Sequence, residues 1–304
     1  MCTVAEIARG NLDVKTLKTH RVGDIEIVAL SDGVMKVSYR SVFPDTPANI
    51  WEGYRERFPD AYDSDGFLTN IGVFLIRSAG KVTLVDTGLG PDGAPQGAMD
   101  GRLGPPELLT NLQATGVRHE EIDNVFLTHL HGDHIGWNLL PDGRQWRPTF
   151  PRARYLLQQA DWDHFTSQET LARLEANVRV KAESTYLPLM DLGVLELIEG
   201  DSDVAPGLQA FHTPGHTPGH MSMFISSGND RALIIGDVLG SPMHASEPDH
   251  VYLPDSNVNQ ARETRHRLLD MAESEGMVVL GSHMTQPGWG TIVRWRGKRF
   301  WQGI

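Results

Sequence analysis

The sequence predicts an α/β protein, and three observations support this prediction. First, several apolar runs have the length of buried strands, and four of them lead directly into histidine or aspartate. Second, residues 256–275 show the period of an amphipathic helix, whose apolar side includes Ala261 and Leu268. Third, these histidines and aspartates stand at the carboxyl ends of the predicted strands, where α/β proteins commonly place their sites. The four runs are residues 124–128, 208–211, 232–236 and 277–282.

The other elements can be predicted in chain order from alternation and turn residues. Residues 23–41 alternate as a hairpin, with Ser31-Asp32-Gly33 as its turn. A second hairpin over residues 71–85 ends at Asp86. Proline at a helix start and glycine after its end then mark a helix. The later elements are this helix over residues 105–116, a strand over residues 154–158 and a helix from Gln159 onward.

Four side chains that bind metal lie within six positions, directly after the first of these apolar runs. They are His129, His131, Asp133 and His134. Alternate residues of a strand share a face, so His129 and His131 are expected to point the same way. Asp133 and His134 follow a glycine, where the chain turns freely, so they can aim at a second point nearby. Imidazole and carboxylate together suit zinc and other borderline divalent metals.

Further candidate ligands follow the other three apolar runs. His212, His216 and His220 share one short stretch, HTPGHTPGH, and spacing alone does not separate them. Asp237 and His283 follow the next two runs. One histidine of the stretch, these two residues and the first cluster make seven ligands, whereas one tetrahedral zinc takes about four. Two metals that share a bridging carboxylate would use all seven, so the count predicts a binuclear centre.

Five motifs make the sequence similar to the metallo-β-lactamase superfamily, and they occur in that family's order. They are the Asp-Thr-Gly turn at Asp86, the HxHxDH run from His129 to His134, the TPGHTPGH stretch containing His216, the Gly-Asp element at Asp237 and the Gly-Ser-His element at His283. The resemblance runs from roughly residue 20 to the C-terminus. It implies an αββα four-layer sandwich of two mixed sheets flanked by helices, with the site at one edge between the sheets.

The resemblance also implies how the ligands divide between the metals. His129, His131 and His216 would hold the first metal, Asp133, His134 and His283 the second, and Asp237 would bridge them. Asp133 and Asp237 are therefore also the expected catalytic residues. The cofactors implied are two divalent metal ions, with zinc preferred and iron, manganese or cobalt as alternatives.

Other residues are expected to support this centre or to line its pocket. Asp86 would brace the ligand loop from behind by accepting an N–H of a ligand histidine. His212 and His220 are interpreted as supporting or core histidines, and His220 is also a candidate for the pocket. Trp137, which follows the ligand run, and Trp51 are candidates for the substrate pocket.

Composition favours one enzyme-sized domain over residues 1–304 and excludes some partners. Apolar residues make up 40% and charged residues 22%, as in ordinary globular proteins. The formal net charge of −12 argues against nucleic acid, which needs a basic surface. The single cysteine, Cys2, leaves no disulfide framework and no cysteine nucleophile in the body of the chain. With no signal peptide and no membrane-spanning run in the sequence, a cytoplasmic location is expected.

The resemblance implies hydrolysis by a hydroxide that bridges the two metals, because the cations lower the pKa of their shared water. The motif sequences look most like those of lactonases, organophosphate hydrolases and related small-molecule hydrolases. We therefore expect a small, rather apolar ester, lactone or phosphotriester as substrate. The alternatives are a hydrolytic dehalogenase of chlorinated aromatics, a mononuclear iron dioxygenase acting on glutathione persulfide, and a binding protein without a working site.

One position argues against a homoserine lactone substrate. Quorum-quenching lactonases usually carry a tyrosine three positions after the bridging aspartate, and this chain has Gly240 there. The true β-lactamases with a cysteine ligand are also disfavoured, because Asp237 stands at that position.

Residues 42–68 form an aromatic-rich insertion that matches no strand of the sandwich. Its aromatic residues are Phe43, Trp51, Tyr54, Phe58, Tyr62 and Phe67. Loops of this length are usually functional, so the segment is a candidate lid over the cleft or a homodimer element. The alternative is that it packs on the sandwich as a satellite core.

Overall fold

The computed structural model describes residues 17–91 and 101–304, which form two seven-stranded sheets with helices around them. In chain order the strands are β1 (Thr19–Val22), β2 (Ile25–Ala29), β3 (Val34–Ser38), β4 (Gly66–Asn70), β5 (Phe74–Ser78), β6 (Lys81–Val85), β7 (Arg102–Leu103), β8 (Asn124–Phe126), β9 (Leu139–Asp142), β10 (Gln145–Pro148), β11 (Arg154–Gln158), β12 (Leu195–Ile198), β13 (Ser202–Ala205), β14 (Leu208–His212), β15 (Met221–Ser227), β16 (Asp230–Ile234), β17 (Val278–Leu280), β18 (Trp289–Trp295) and β19 (Lys298–Gly303). The helices are α1 (Tyr39–Val42), α2 (Ala48–Arg57), α3 (Leu108–Ala114), α4 (Gln159–Thr166), α5 (Gln168–Arg173), α6 (Ala176–Thr185), α7 (Pro188–Asp191), α8 (Met243–Ser246) and α9 (Val258–Glu275).

Both large sheets are mixed, as the family resemblance implied. The first has the order β1-β2-β5-β6-β8-β11-β12, and its last four strands are parallel neighbours. The second runs in sequence order from β13 to β19, with only β16 and β17 paired in parallel. Two small sheets, β10-β9 and β4-β3-β7, accompany them. Among the described residues, no helix is long and apolar enough to cross a membrane.

The main core lies between the two large sheets. Ile27 and Phe126 of the first sheet share one buried cluster with Met223 and Ile225 of the second. Phe224, between these last two residues, packs instead against a different cluster on the other face of its sheet. This is the alternation of side chains that a strand imposes. The two sheets therefore bury their inner faces against each other.

Helices cover the outer face of each sheet. Leu108 and Leu112 of α3 belong to the cluster outside the first sheet. Leu268 and Leu269 of α9 pack with Leu233 of β16 outside the second sheet. The result is the four-layer arrangement, helix, sheet, sheet, helix, that the sequence analysis expected.

The hairpin predicted over residues 23–41 is wrong. β2 pairs with β1 and β5 in the first large sheet, whereas β3 pairs with β4 and β7 in a small sheet. Asp32 between them is fully buried, and its carboxylate accepts backbone N–H bonds from Leu89, Gly90 and Leu108. The sequence of residues 31–33 is typical of a turn. Hydrogen bonds from these distant donors instead hold the segment buried, at the point where the chain passes from one sheet to the other.

The insertion packs as a satellite core. Its buried members, together with neighbours from two other segments, form what we call the aromatic cluster: Val37, Tyr39, Val42, Phe43, Trp51, Tyr54, Tyr62, Phe67, Met243 and Tyr252. Trp51 is only 2% exposed and stacks on Tyr39 with ring centroids 4.2 Å apart. This placement favours the satellite core over the lid, and Trp51 lies inside the cluster instead of on a pocket wall.

Candidate metal centre

The seven predicted ligands converge at one edge of the sandwich. The HxHxDH run follows β8 of the first sheet, and the other three donors follow β14, β16 and β17 of the second. In each case the donor lies a few residues beyond the strand, on a loop. The carboxyl ends of four strands therefore deliver the ligands, as the sequence analysis predicted.

One group of donors comprises His129, His131, His216 and Asp237, whose ligand atoms all lie within 4.8 Å of one another. Nδ1 of His131 is 3.1 Å from Nε2 of His129 and 2.9 Å from Nε2 of His216. A carboxylate oxygen of Asp237 lies 3.3 Å from the same atom of His216. Because β8 ends at Phe126, the loop and not strand alternation brings the first two histidines together.

A second group comprises Asp133, His134 and His283, and it adjoins the first. Nε2 of His283 lies 3.4 Å from Oδ2 of Asp133. Asp237 stands between the groups, with Oδ1 3.3 Å from Nε2 of His134 and Oδ2 3.0 Å from Nε2 of His283. One carboxylate thus reaches donors of both groups, which is the arrangement expected of a bridging ligand.

Several of these atoms are buried without a hydrogen-bond partner among the described residues. They are Oδ2 of Asp133, Nε2 of His134, Oδ1 of Asp237 and Nε2 of His283. Buried polar atoms are normally paired, because leaving one unpaired costs about 1–3 kcal/mol. Here the unpaired atoms face one another, so a shared cation would satisfy them together. The donor set of imidazole and carboxylate fits a divalent metal.

The ring nitrogens that face away from the centre are held by other groups. Two of them contact carboxylates: Nδ1 of His134 lies 2.8 Å from Asp86, and Nδ1 of His216 lies 3.0 Å from Asp255. The other two contact neutral oxygens at 3.0 Å: Nδ1 of His283 meets the Asn70 carbonyl, and Nδ1 of His129 meets the Thr128 hydroxyl. Such contacts set which nitrogen carries the proton and how each ring is oriented. The inward nitrogens are thereby left free to bind a cation.

Asp86 contacts the loop that carries the HxHxDH run at two points. Besides its contact with His134, its carboxylate accepts bonds from the Thr128 backbone N–H at 2.8 Å and from the Thr128 hydroxyl. Asp86 also has a φ of +61°, in the left-handed region where, apart from glycine, asparagine and aspartate occur more often than other residues. Such outliers concentrate at functional sites.

Sequence reasoning missed Asp255 and Arg265. Oδ2 of Asp255 accepts a bond from the Arg265 guanidinium at 3.0 Å, and both side chains are 1% exposed. Arg265 also donates to the carbonyl of Val238, the residue after Asp237. Asp255 lies 39 positions from His216, and no local motif marks it. The available signal was Arg265 itself, an arginine on the mostly apolar face of the helix predicted over residues 256–275.

The remaining candidates support the site or lie away from it. Nε2 of His220 accepts the backbone N–H of Asp237 at 3.1 Å, so this histidine supports a ligand. His212 contacts the Pro218 carbonyl and is not one of the clustered donors. Trp137 is not a pocket residue, because its indole N–H donates to Asp32 within the core outside the first sheet.

The pKa values of the donors are shifted in opposite directions by burial and by neighbouring charges. Burial and the neighbouring His216 lower the pKa of His131 to about 3. Burial also lowers the pKa of His216, but Asp237 and Asp255 outweigh it and raise this pKa to about 9. For Asp237, burial raises the pKa, yet His283 and His134 hold it well below its usual range. An ionised carboxylate therefore lies at the middle of the ligand set, as cation binding requires.

Two aromatic rings flank the ligands. Phe165 at the end of α4 meets His131 edge-on, with ring centroids 5.8 Å apart. Tyr252 of the aromatic cluster lies nearly parallel to His216, also at 5.8 Å. His131 is half-buried, whereas the other six donors are buried, so this histidine is the most exposed of the seven. Aromatic rings therefore pack against two of the histidine donors.

Comparisons with known proteins agree with the fold and the motifs. The model of the metallo-beta-lactamase superfamily matches residues 69–283, and the chain belongs to this family as a metal-dependent hydrolase. An N-acyl homoserine lactonase of Bacillus cereus is 25% identical, over 72% of this chain and 83% of its own length.

Two solved structures have the same overall fold. One is described as the hydrolase AbOPH in the beta lactamase superfamily, with a TM-score of 0.80 and 26% identity, covering 96% of this chain and 99% of its own. The other is AidC, a dizinc quorum-quenching lactonase in complex with a homoserine product, with a TM-score of 0.77 and 21% identity, covering 95% of this chain and 97% of its own.

Proposed function

We propose that this protein is a binuclear, zinc-dependent hydrolase of a small, rather apolar lactone, ester or phosphotriester. The observation that supports this most directly is the pair of adjoining donor groups that share Asp237, with their inward atoms buried and unpaired. A mononuclear iron dioxygenase would have no use for the second group. The similarity to an N-acyl homoserine lactonase adds support for a lactone.

In this proposal each donor group holds one metal. His129, His131 and His216 would hold the first ion, Asp133, His134 and His283 would hold the second, and Asp237, whose carboxylate reaches both groups, would be shared. Nitrogen and oxygen donors of this kind suit zinc. When bound, two such ions lower the pKa of a water molecule and polarise the electrophile.

The chain's own residues position the substrate and move the proton. A substrate approaches over the half-buried His131 and lies between Phe165 and Tyr252, so an apolar acyl or alkyl group is favoured. The Asp133 carboxylate lies in the second donor group and would accept the proton that the attacking water loses.

The test combines metal analysis with a substrate panel. We expect two zinc ions per chain, and hydrolysis of at least one of an acyl homoserine lactone, an aryl ester and an aryl phosphotriester. His216→Ala should lose the first metal and most activity. His212→Ala, which removes a nearby histidine outside the donor groups, is the matched control and should retain both.

Other outcomes would contradict the proposal. One iron per chain, with oxygen consumed in the presence of glutathione persulfide, would identify the dioxygenase alternative. Chloride released from a chlorinated aromatic, with no activity on the panel, would identify the dehalogenase.

A further inference from the structure

Gly240, three residues after Asp237, has no room for a side chain. A Cβ atom at this position would lie 2.5 Å from Cζ of Tyr252 and 2.7 Å from its Cε2, which is far inside van der Waals contact. Gly240 does not have a positive φ, so the backbone conformation does not require glycine. The glycine is needed because the hydroxyl end of the Tyr252 ring occupies that space.

The Tyr252 ring is held on several sides. It lies nearly parallel to His216, with an interplanar angle of 19°, and it stacks on Phe43 at 5.0 Å. His244 meets it edge-on at 5.6 Å. Tyr252 is 2% exposed, so the ring has little freedom to move. One face of a metal ligand is thus covered by a fixed phenol.

The hydroxyl of Tyr252 has no hydrogen-bond partner within residues 17–91 and 101–304, although a buried tyrosine normally finds one. The hydroxyl end of the ring lies against Gly240, three residues from the shared ligand Asp237, and the ring itself packs on His216. The hydroxyl is a free donor beside the metal ligands.

We propose that the Tyr252 hydroxyl donates a hydrogen bond to the substrate oxygen on which negative charge develops during hydrolysis. The attacking water oxygen forms a bond to carbon or phosphorus as its proton passes to the Asp133 carboxylate, and the electron pair of the carbonyl or phosphoryl bond moves onto its oxygen, which accepts a hydrogen bond from the Tyr252 hydroxyl. The pair then returns to carbon or phosphorus as the alkoxide leaves and takes up that proton. A donor that is already positioned stabilises such an oxygen more effectively than water does. This inference rests on the proposed function and adds a catalytic residue to it.

The test compares Tyr252→Phe with Tyr62→Phe in the zinc-loaded protein. Tyr62 is the matched control, because its hydroxyl likewise lacks a hydrogen-bond partner but belongs to the interior of the aromatic cluster. The first measurement is calorimetric binding of hexylphosphonate, whose tetrahedral oxygens resemble the charged intermediate. Loss of one hydrogen bond to a charged oxygen should weaken binding by about 10- to 100-fold in Tyr252→Phe only.

The second measurement is the kinetics on the best substrate of the panel. Tyr252→Phe should lower kcat by roughly 100- to 1,000-fold with two zinc ions retained, as removal of an oxyanion donor does in other hydrolases. KM should change much less. Gly240→Ala should act in the same direction, because its Cβ displaces the ring, and it provides a second variant if Tyr252→Phe folds poorly.

The two measurements separate this inference from the proposed function. If the protein hydrolyses none of the panel but hexylphosphonate binding still depends on Tyr252, the substrate classes are wrong and the role of Tyr252 stands. Unchanged phosphonate binding and an unchanged kcat in Tyr252→Phe would show that the tyrosine only packs on His216. Failure of the zinc-loaded wild type to bind hexylphosphonate would also overturn the inference.

Discussion

Nδ1 of His216 lies 3.0 Å from the Asp255 carboxylate, and both residues are almost completely buried. The same carboxylate is paired with Arg265, which in turn holds the backbone beside Asp237. One buried ion pair therefore orients a ligand of the first donor group and supports the strand end that carries the shared ligand.

Asp255→Asn should weaken binding of the first metal by roughly 10- to 100-fold, because the orientation and basicity of His216 depend on the carboxylate. It should also lower the free energy of unfolding by about 3–5 kcal/mol, since Arg265 stays buried without a counter-charge. Zinc titration and chemical denaturation measure the two effects. Asp249→Asn removes an exposed carboxylate beside α9 and should change neither. Equal zinc affinity in both variants would show that Asp255 has no role in orienting the ligand.

Substitutions of Asp86 should separate its contact with His134 from its ability to adopt a positive φ. Asp86→Asn and Asp86→Ala should both weaken the second metal, because Nδ1 of His134 loses its charged partner. Asparagine tolerates the positive φ of this position, whereas alanine adds strain of about 1–2 kcal/mol. We therefore expect the alanine variant to have the lower Tm. Asp123→Asn, at the opposite end of β8, is the control for metal content. Identical Tm values for the two Asp86 variants would show that alanine adds no backbone strain at this position.

Metal affinity should rise with pH. His216 has a pKa raised to about 9 by Asp237 and Asp255, so below that pH the ion must displace a proton from this histidine. His131, whose pKa is lowered to about 3, contributes no such proton. Zinc affinity should therefore increase from about pH 6 up to about pH 9 and then level off, with net proton release on binding. Chelator competition and calorimetry in two buffers measure this. Affinity that is independent of pH would contradict the assignment of His216 as a ligand.

Trp51→Ala should mainly affect stability. The side chain is 2% exposed within the aromatic cluster, so its loss should cost about 3–5 kcal/mol of unfolding free energy. KM and kcat should change little at a temperature where the variant remains folded. Trp295→Ala removes a tryptophan that is 55% exposed and should leave Tm nearly unchanged. A raised KM in Trp51→Ala without loss of Tm would restore the lid interpretation of residues 42–68.

The sequence by itself determined the class of fold and six of the seven clustered donors. Each donor, such as Asp237 or His283, follows an apolar run of strand length, so the signal lies within a few neighbouring residues. Local periodicity likewise marked α9. The choice of His216 over His212 came from family resemblance, and the geometry of the donors agrees with it.

Only the tertiary structure decided which distant residues complete the site. Alternation shows which face of a strand is buried but not which strand lies beside it, so β2 and β3 were wrongly paired with each other. Asp255 and Tyr252 occupy a loop without a motif, and they meet His216 because the backbone N–H groups of Ser256 and Asn257, just before α9, donate to the carbonyls of His216 and Gly215. The sequence shows only that position 240 has no side chain. In the folded chain the phenol of Tyr252, twelve residues further along, occupies the same space. Contacts between residues far apart in the chain depend on the path of the whole backbone, which no local pattern encodes.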